Sequence, residues 1–225
     1  GQKYEDGLKK ENVKYLYNKK EEPVPTGSCL ILITPDSERT MCTFLGTAGK
    51  INDQDVREKD IKNSDMIFLE GYLWDEGEPK KAFDKAIRCS KKTAMSLSDL
   101  FCVERHKPFF LKLVQNSLDM IFANEQEITS LINAKSFEDV ITFCRQIKKN
   151  VIITRGDKGS VSINNDELVE CNAQKNLAIK DLTGAGDLFA AGYLHGTINN
   201  ETTKECLIKG TELSSTIIQK IGARI

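Results

Sequence analysis

Near the C-terminal end stands Asp181-Leu182-Thr183-Gly184-Ala185-Gly186-Asp187-Leu188-Phe189-Ala190-Ala191-Gly192, where two glycines flank one alanine and an apolar run follows at once. Glycine lets a backbone turn tightly and leaves its N–H groups open. Placed at the start of a helix, such N–H groups face the positive end of the helix dipole, where an anion is favoured. A phosphate, or the charge that develops as one is transferred, suits that pocket. Asp187 in the first helical turn has an ordinary explanation, since carboxylates there stabilise the dipole. Beside an anion pocket, however, a carboxylate repels phosphate unless it has a task. Phosphoryl transfer supplies one: an acceptor hydroxyl must lose its proton while the phosphoryl group is held in place.

Two other glycine-rich readings fare worse. A dinucleotide fingerprint requires a small residue where Phe189 stands and belongs in the first βα turn of a domain, which weakens an oxidoreductase reading. A P-loop around Gly49-Lys50 is broken by Phe44 and Ile51. The seven cysteines are scattered without a Cys-x-x-Cys pair, and His106 and His195 lie far apart, so a zinc site is not indicated. Reduced thiols in a cytoplasmic protein are the expectation.

The elements that must position these residues follow from pattern. The 225 residues carry a net charge of -1 with acidic and basic residues interspersed, which points away from nucleic acid and membrane surfaces as partners. No apolar run approaches the ~20 residues that span a bilayer, and the polar N-terminus lacks a signal-peptide pattern. Residues 1–25 read as a short helix, a short strand and a loop. Ser28–Thr34 and Arg39–Phe44 read as a hairpin around Pro35-Asp36-Ser37-Glu38. Apolar runs at 66–69, 93–97, 118–123 and 151–154 read as strands. Helices are expected from Pro79, over 107–115, from the capping pattern at Ser136–Asp139, and over the C-terminal stretch with Leu207, Gly210, Leu213 and Ile217. A second hairpin spans 161–171. Alternating strands and helices imply right-handed βαβ units and a mostly parallel sheet in one α/β domain over 1–225, with the 26–46 hairpin as an appendage.

Ligands of such sheets bind beyond the carboxyl ends of the strands. The residues there are Glu70-Gly71, Ser98-Asp99, Asn124-Glu125-Gln126-Glu127 and Thr154-Arg155-Gly156. With these in hand, Asp181-x-Thr183-Gly184-Ala185-Gly186-Asp187 resembles the C-terminal signature of the PfkB, or ribokinase and adenosine kinase, family. Asn124-Glu125-Gln126-Glu127 resembles its Asn-x-x-Glu motif, Thr154-Arg155-Gly156-Asp157-Lys158-Gly159 its segment bordering ATP, and Thr26-Gly27-Ser28-Cys29 the opening of a hairpin near or in its lid. The resemblance implies a ribokinase-like fold and an ATP-dependent kinase. Asp187 would be the base and Gly184, Ala185 and Gly186 the anion hole. Asn124 and Glu127 would order Mg²⁺, Glu127 through water. Thr154, Arg155, Gly156 and Gly159 would line the nucleotide, with Gly210 and Ser214 bordering adenine. Asp181 and Thr183 lie where relatives hold a monovalent cation such as K⁺. Dimers occur in relatives with such lids, so the resemblance allows a homodimer.

The family normally begins with a strand whose Asp binds substrate hydroxyls, followed by a Gly-Gly motif, and neither occurs here. The chain starts at Gly1 without Met, so a fragment of a longer protein is the expectation, with poor turnover by the 225 residues alone. Leu97-Ser98-Asp99-Leu100-Phe101 is closer to adenosine kinases than to sugar kinases, which favours a nucleoside over a sugar as acceptor. The competing reading is a kinase-like module that binds ATP or ligand without turnover. Trp74 and His195 read as packing or surface residues, and Arg105-His106 as a solvated helix start.

Overall fold

In a computed structural model, residues 1–16 and 23–225 are described. The chain divides into two compact units. The first comprises residues 1–30, 41–67 and 73–91. It holds α1 (Gln2–Lys10), α2 (Glu58–Asn63), α3 (Glu78–Cys89) and the base of an antiparallel hairpin made of β1 (Thr26–Ile33) and β2 (Arg39–Gly46). Pro79 stands in the first turn of α3, and Ala82, Phe83 and Ala86 form its buried face, as their spacing predicts. Among the described residues, no strand occurs within 1–25, where a short one is expected; residues 17–22 lie outside the described residues.

The second unit comprises residues 31–40, 68–72 and 92–225. Its sheet runs β3 (Ile67–Glu70), β4 (Thr93–Ser96), β5 (Met120–Asn124), β6 (Asn150–Thr154), β7 (Ser160–Asn164) and β8 (Glu167–Cys171), in that order. Strands β4, β5 and β6 are parallel, and β6, β7 and β8 antiparallel. The parallel strands are almost continuously apolar, as strands covered on both faces must be: Ala94, Met95, Ile121, Val151 and Ile153 are fully enclosed. Register matters for chemistry. Asn124 pairs with Thr154 at the carboxyl ends of β5 and β6, so the two motifs meet side by side.

Three helices differ from the pattern reading, α2 being absent from it. A helix is expected over 107–115, yet α4 runs Leu100–Asn116, contains Pro108 and is capped by Asp99 accepting from Cys102 N at 2.7 Å. Proline lacks an N–H and crowds the turn before it. The chain absorbs this with non-helical angles at His106, which is buried at the kink and not in a solvated start. The short helix α5 (Glu125–Ile132), absent from the pattern reading, follows β5 directly. By contrast, α6 (Phe137–Ile147) begins with the expected box, Ser136 and Asp139 satisfying each other's backbone.

α7 (Ala185–Ile198) and α8 (Thr203–Ile217) pack against each other, and α8 lies on β7 and β8. Tyr193 fixes α7 to the sheet. Its ring meets Phe122 edge-on at 5.6 Å, and its hydroxyl lies 3.2 Å from both Asn150 Nδ2 and Ser162 Oγ. Trp74 is buried, and His195 is exposed on α7. Among the described residues, no helix is long and apolar enough to cross a membrane.

Candidate active site

The start of α7 is built around Gly184, which adopts φ +79° as the helix N-cap; a β-carbon there would press on Ala223 at 3.1 Å. Ala185 N–H donates to Leu182 O at 3.2 Å. Among the described residues, the N–H groups of Gly184, Gly186 and Asp187 have no hydrogen bond, and these are the donors open to an anion. The preceding turn is held by Asp181, which is fully buried. Its Oδ1 accepts from Thr183 N at 2.8 Å and its Oδ2 from Gly222 N at 2.9 Å.

No hydrogen bond engages the Asp187 carboxylate among the described residues. Partial desolvation by the surrounding protein raises its pKa, and the Arg39 guanidinium opposes that rise. Glu70, at the carboxyl end of β3, has its pKa pushed up to about 7, first by burial and then by the Asp187 and Glu127 charges; Ser98 Oγ, donating to Glu70 Oε2 at 3.0 Å, pulls the other way. Arg39 read from the sequence only as part of a strand, and Glu70 only as a polar residue at a strand end. Their tie to Asp187 is long-range in sequence and left no local signal.

At the ends of β5 and β6, Asn124 and Glu127 form a capping box. Asn124 Oδ1 accepts from Glu127 N at 2.8 Å, and the Glu127 carboxylate accepts from Asn124 N at 2.9 Å and Asn124 Nδ2 at 2.7 Å. Glu127 is 4% exposed, and burial raises its pKa to about 7. A cleft of about 510 Å³ at these strand ends is lined by Asn124, Glu125, Gln126, Thr129, Thr154 and residues 155–158, without Glu127. The structure thus joins Asn124, Thr154, Arg155 and Gly156 in one cleft. Gly159 ends the turn that follows, its carbonyl accepting from Arg155 N at 2.8 Å. Gly210 lies in the α7–α8 contact, where a β-carbon would come within 2.8 Å of Phe189 O; Ser214, half-buried on the same helix, accepts from Ile218 N.

An open helix N-terminus, a carboxylate free of hydrogen bonds and a polar cleft at the ends of parallel strands suit transfer of an anionic group. The profile of the pfkB family carbohydrate kinases matches residues 1–225. The chain belongs to that family. Within it, the adenosine kinase of Dictyostelium discoideum is 26% identical over 91% of this chain and 65% of its own length. The crystal structure of the adenosine kinase from Sinorhizobium meliloti is 32% identical and superposes with a TM-score of 0.96, over 100% of this chain and 70% of that one. The ribokinase of Thermotoga maritima, 19% identical with a TM-score of 0.79 over 99% of this chain and 72% of that one, shares the fold. The fold is ribokinase-like, as the motifs imply. The chain spans about two thirds of the length of the Dictyostelium family member.

Proposed function

We propose that this family member transfers the γ-phosphoryl group of ATP to a hydroxyl of a nucleoside resembling adenosine, with a sugar as the alternative acceptor. The observation that carries the reading is the Asp187 carboxylate, unengaged and adjacent to the open amides of α7. In the proposed reaction the acceptor oxygen attacks the γ-phosphorus as its proton passes to Asp187. The bond from phosphorus to the bridging oxygen breaks, and ADP leaves with that electron pair. The N–H groups of Gly184, Gly186 and Asp187, at the start of a helix, stabilise the charge that accumulates on the transferring oxygens. Thr154, Arg155 and Gly156 hold the nucleotide in the cleft at the β5 and β6 ends.

The residues fit the metal that such a reaction uses. Asn124 and Glu127 offer hard oxygen atoms, but each Glu127 oxygen already accepts a bond from Asn124, which suits contact through water. Magnesium bound with ATP would neutralise charge across the phosphates. Asp181 and Thr183 fit a monovalent cation: among the described residues, the buried Asp181 carboxylate has no ion pair and the buried Thr183 Oγ1 has no hydrogen-bond partner within bonding geometry. The hairpin exposes Leu30, Leu32, Met41 and Phe44, and pairing of two chains there belongs to the same reading.

The test is ADP release from Mg-ATP with adenosine or ribose as acceptor, with isothermal titration of ATP on the same sample. Turnover with adenosine above ribose supports the nucleoside reading, and the reverse order assigns the sugar. ATP binding with no ADP release from either acceptor favours a module that binds without turnover.

A further inference from the structure

One edge of the cleft is formed by an arginine held on two sides. Arg155 Nε donates to Glu125 Oε2 at 2.9 Å, and the guanidinium carbon lies 3.6 Å from the centre of the Phe137 ring. The Arg155 side chain is only 17% exposed. The other Glu125 oxygen, Oε1, faces Lys158 Nζ at 3.6 Å. A guanidinium carries five N–H donors in a planar fork that matches a phosphate. The contact to Glu125 takes the inner nitrogen, and Phe137 covers one face. Nη1 and Nη2 are left without a hydrogen bond among the described residues.

We infer that Glu125 and Phe137 are positioning residues that hold the Arg155 fork ready for the phosphate chain of a nucleotide, an inference that rests on the ATP reading above. A free arginine loses rotamer entropy when it is fixed. Here much of that ordering precedes the ligand. The opposite role, a carboxylate that blocks the arginine, would place both Glu125 oxygens on the terminal nitrogens; instead Oε1 turns to Lys158. Arg155 and Lys158 also hold the Glu125 carboxyl below the usual range, so it stays ionised, and the contact persists, at neutral pH.

The experiment is calorimetric titration of ATP, and separately of inorganic tripolyphosphate, at fixed ionic strength, into the unsubstituted chain and into Glu125→Gln, Phe137→Leu, Arg155→Ala and the Glu125→Gln/Arg155→Ala double variant. Thermal melts identify any variant that has lost its fold. Glu125→Gln and Phe137→Leu should each weaken both probes about 3- to 10-fold, as expected when one long side chain must be ordered on binding. The double variant should bind no more weakly than Arg155→Ala alone, because both positioning residues act through Arg155. Phe137→Tyr should restore binding. Tighter binding by Glu125→Gln, or additive losses in the double variant, would overturn the inference. Weakened ATP with unchanged tripolyphosphate would also overturn it, since Arg155 would then face the ribose or base. If these substitutions change nothing while the unsubstituted chain binds ATP, the positioning role fails alone. If the unsubstituted chain binds neither probe, the nucleotide reading fails and this inference with it.

Discussion

Asp187 is under opposed influences: partial desolvation raises its proton affinity, and the Arg39 charge lowers it. A base must be ionised to accept a proton and basic enough to keep it, so opposed influences are what the proposed role calls for. Asp187→Asn keeps the shape and removes the base. It should lower kcat by about 10²- to 10⁴-fold with ATP affinity nearly unchanged. An unchanged kcat, measured with saturating acceptor, would remove the base assignment. Arg39→Ala withdraws the influence that lowers the Asp187 pKa, so the acidic limb of the kcat–pH profile should move to higher pH. Arg39→Lys should keep the limb near its original position. A limb unmoved by Arg39→Ala would show that the guanidinium does not act on the base.

At the level of elements, the α7–α8 contact decides where Asp187 points. Gly210 touches Phe189, two residues after Asp187, so a methyl group at 210 must separate the helices. Gly210→Ala should cost about 1–3 kcal/mol in denaturant unfolding and lower kcat, as overpacked contacts do. A variant of unchanged stability that loses only ATP affinity would return Gly210 to the adenine border. The same scale explains what could be read from sequence. The hairpin at 26–46, the Ser136 cap and the glycine-rich start of α7 are local patterns, and all were legible. α5 was missed because Asn124 and Glu127 were weighed as ligands, although Asn-x-x-Glu is also a helix-capping box. α4 extends beyond the 107–115 reading because Asp99 caps the helix well before it and His106 takes up the kink at Pro108. The partners of Asp187 were out of reach, because Glu70 and Arg39 are brought to it only by folding.

For the molecule as a whole, the buried carboxylates oppose the surface ones. Glu125, Asp139 and Glu205 have lowered pKa values, held down by hydrogen bonds from Arg155, from backbone N–H groups and from Thr202. Their contribution is present above the ordinary carboxylate range and is lost as pH falls through their folded values. Glu70 and Glu127 behave in the opposite sense. With folded values of about 7, they bind protons more tightly in the native state than in the unfolded chain. Their contribution is intact below about pH 4.5 and is lost as pH rises through 7. Each pKa unit is worth about 1.4 kcal/mol, so the loss is bounded at about 3.5 kcal/mol per group. In EDTA and without nucleotide, unfolding free energy should therefore peak at about pH 4.5, decline to about pH 7 and level off above it. Glu70→Gln should flatten the decline while leaving the acidic limb in place, since Ser98 Oγ can still donate to the amide oxygen. A stability curve that keeps rising from pH 5 to pH 8 would mean that Glu70 and Glu127 are ionised in the folded protein at pH 5, and that burial does not govern their titration.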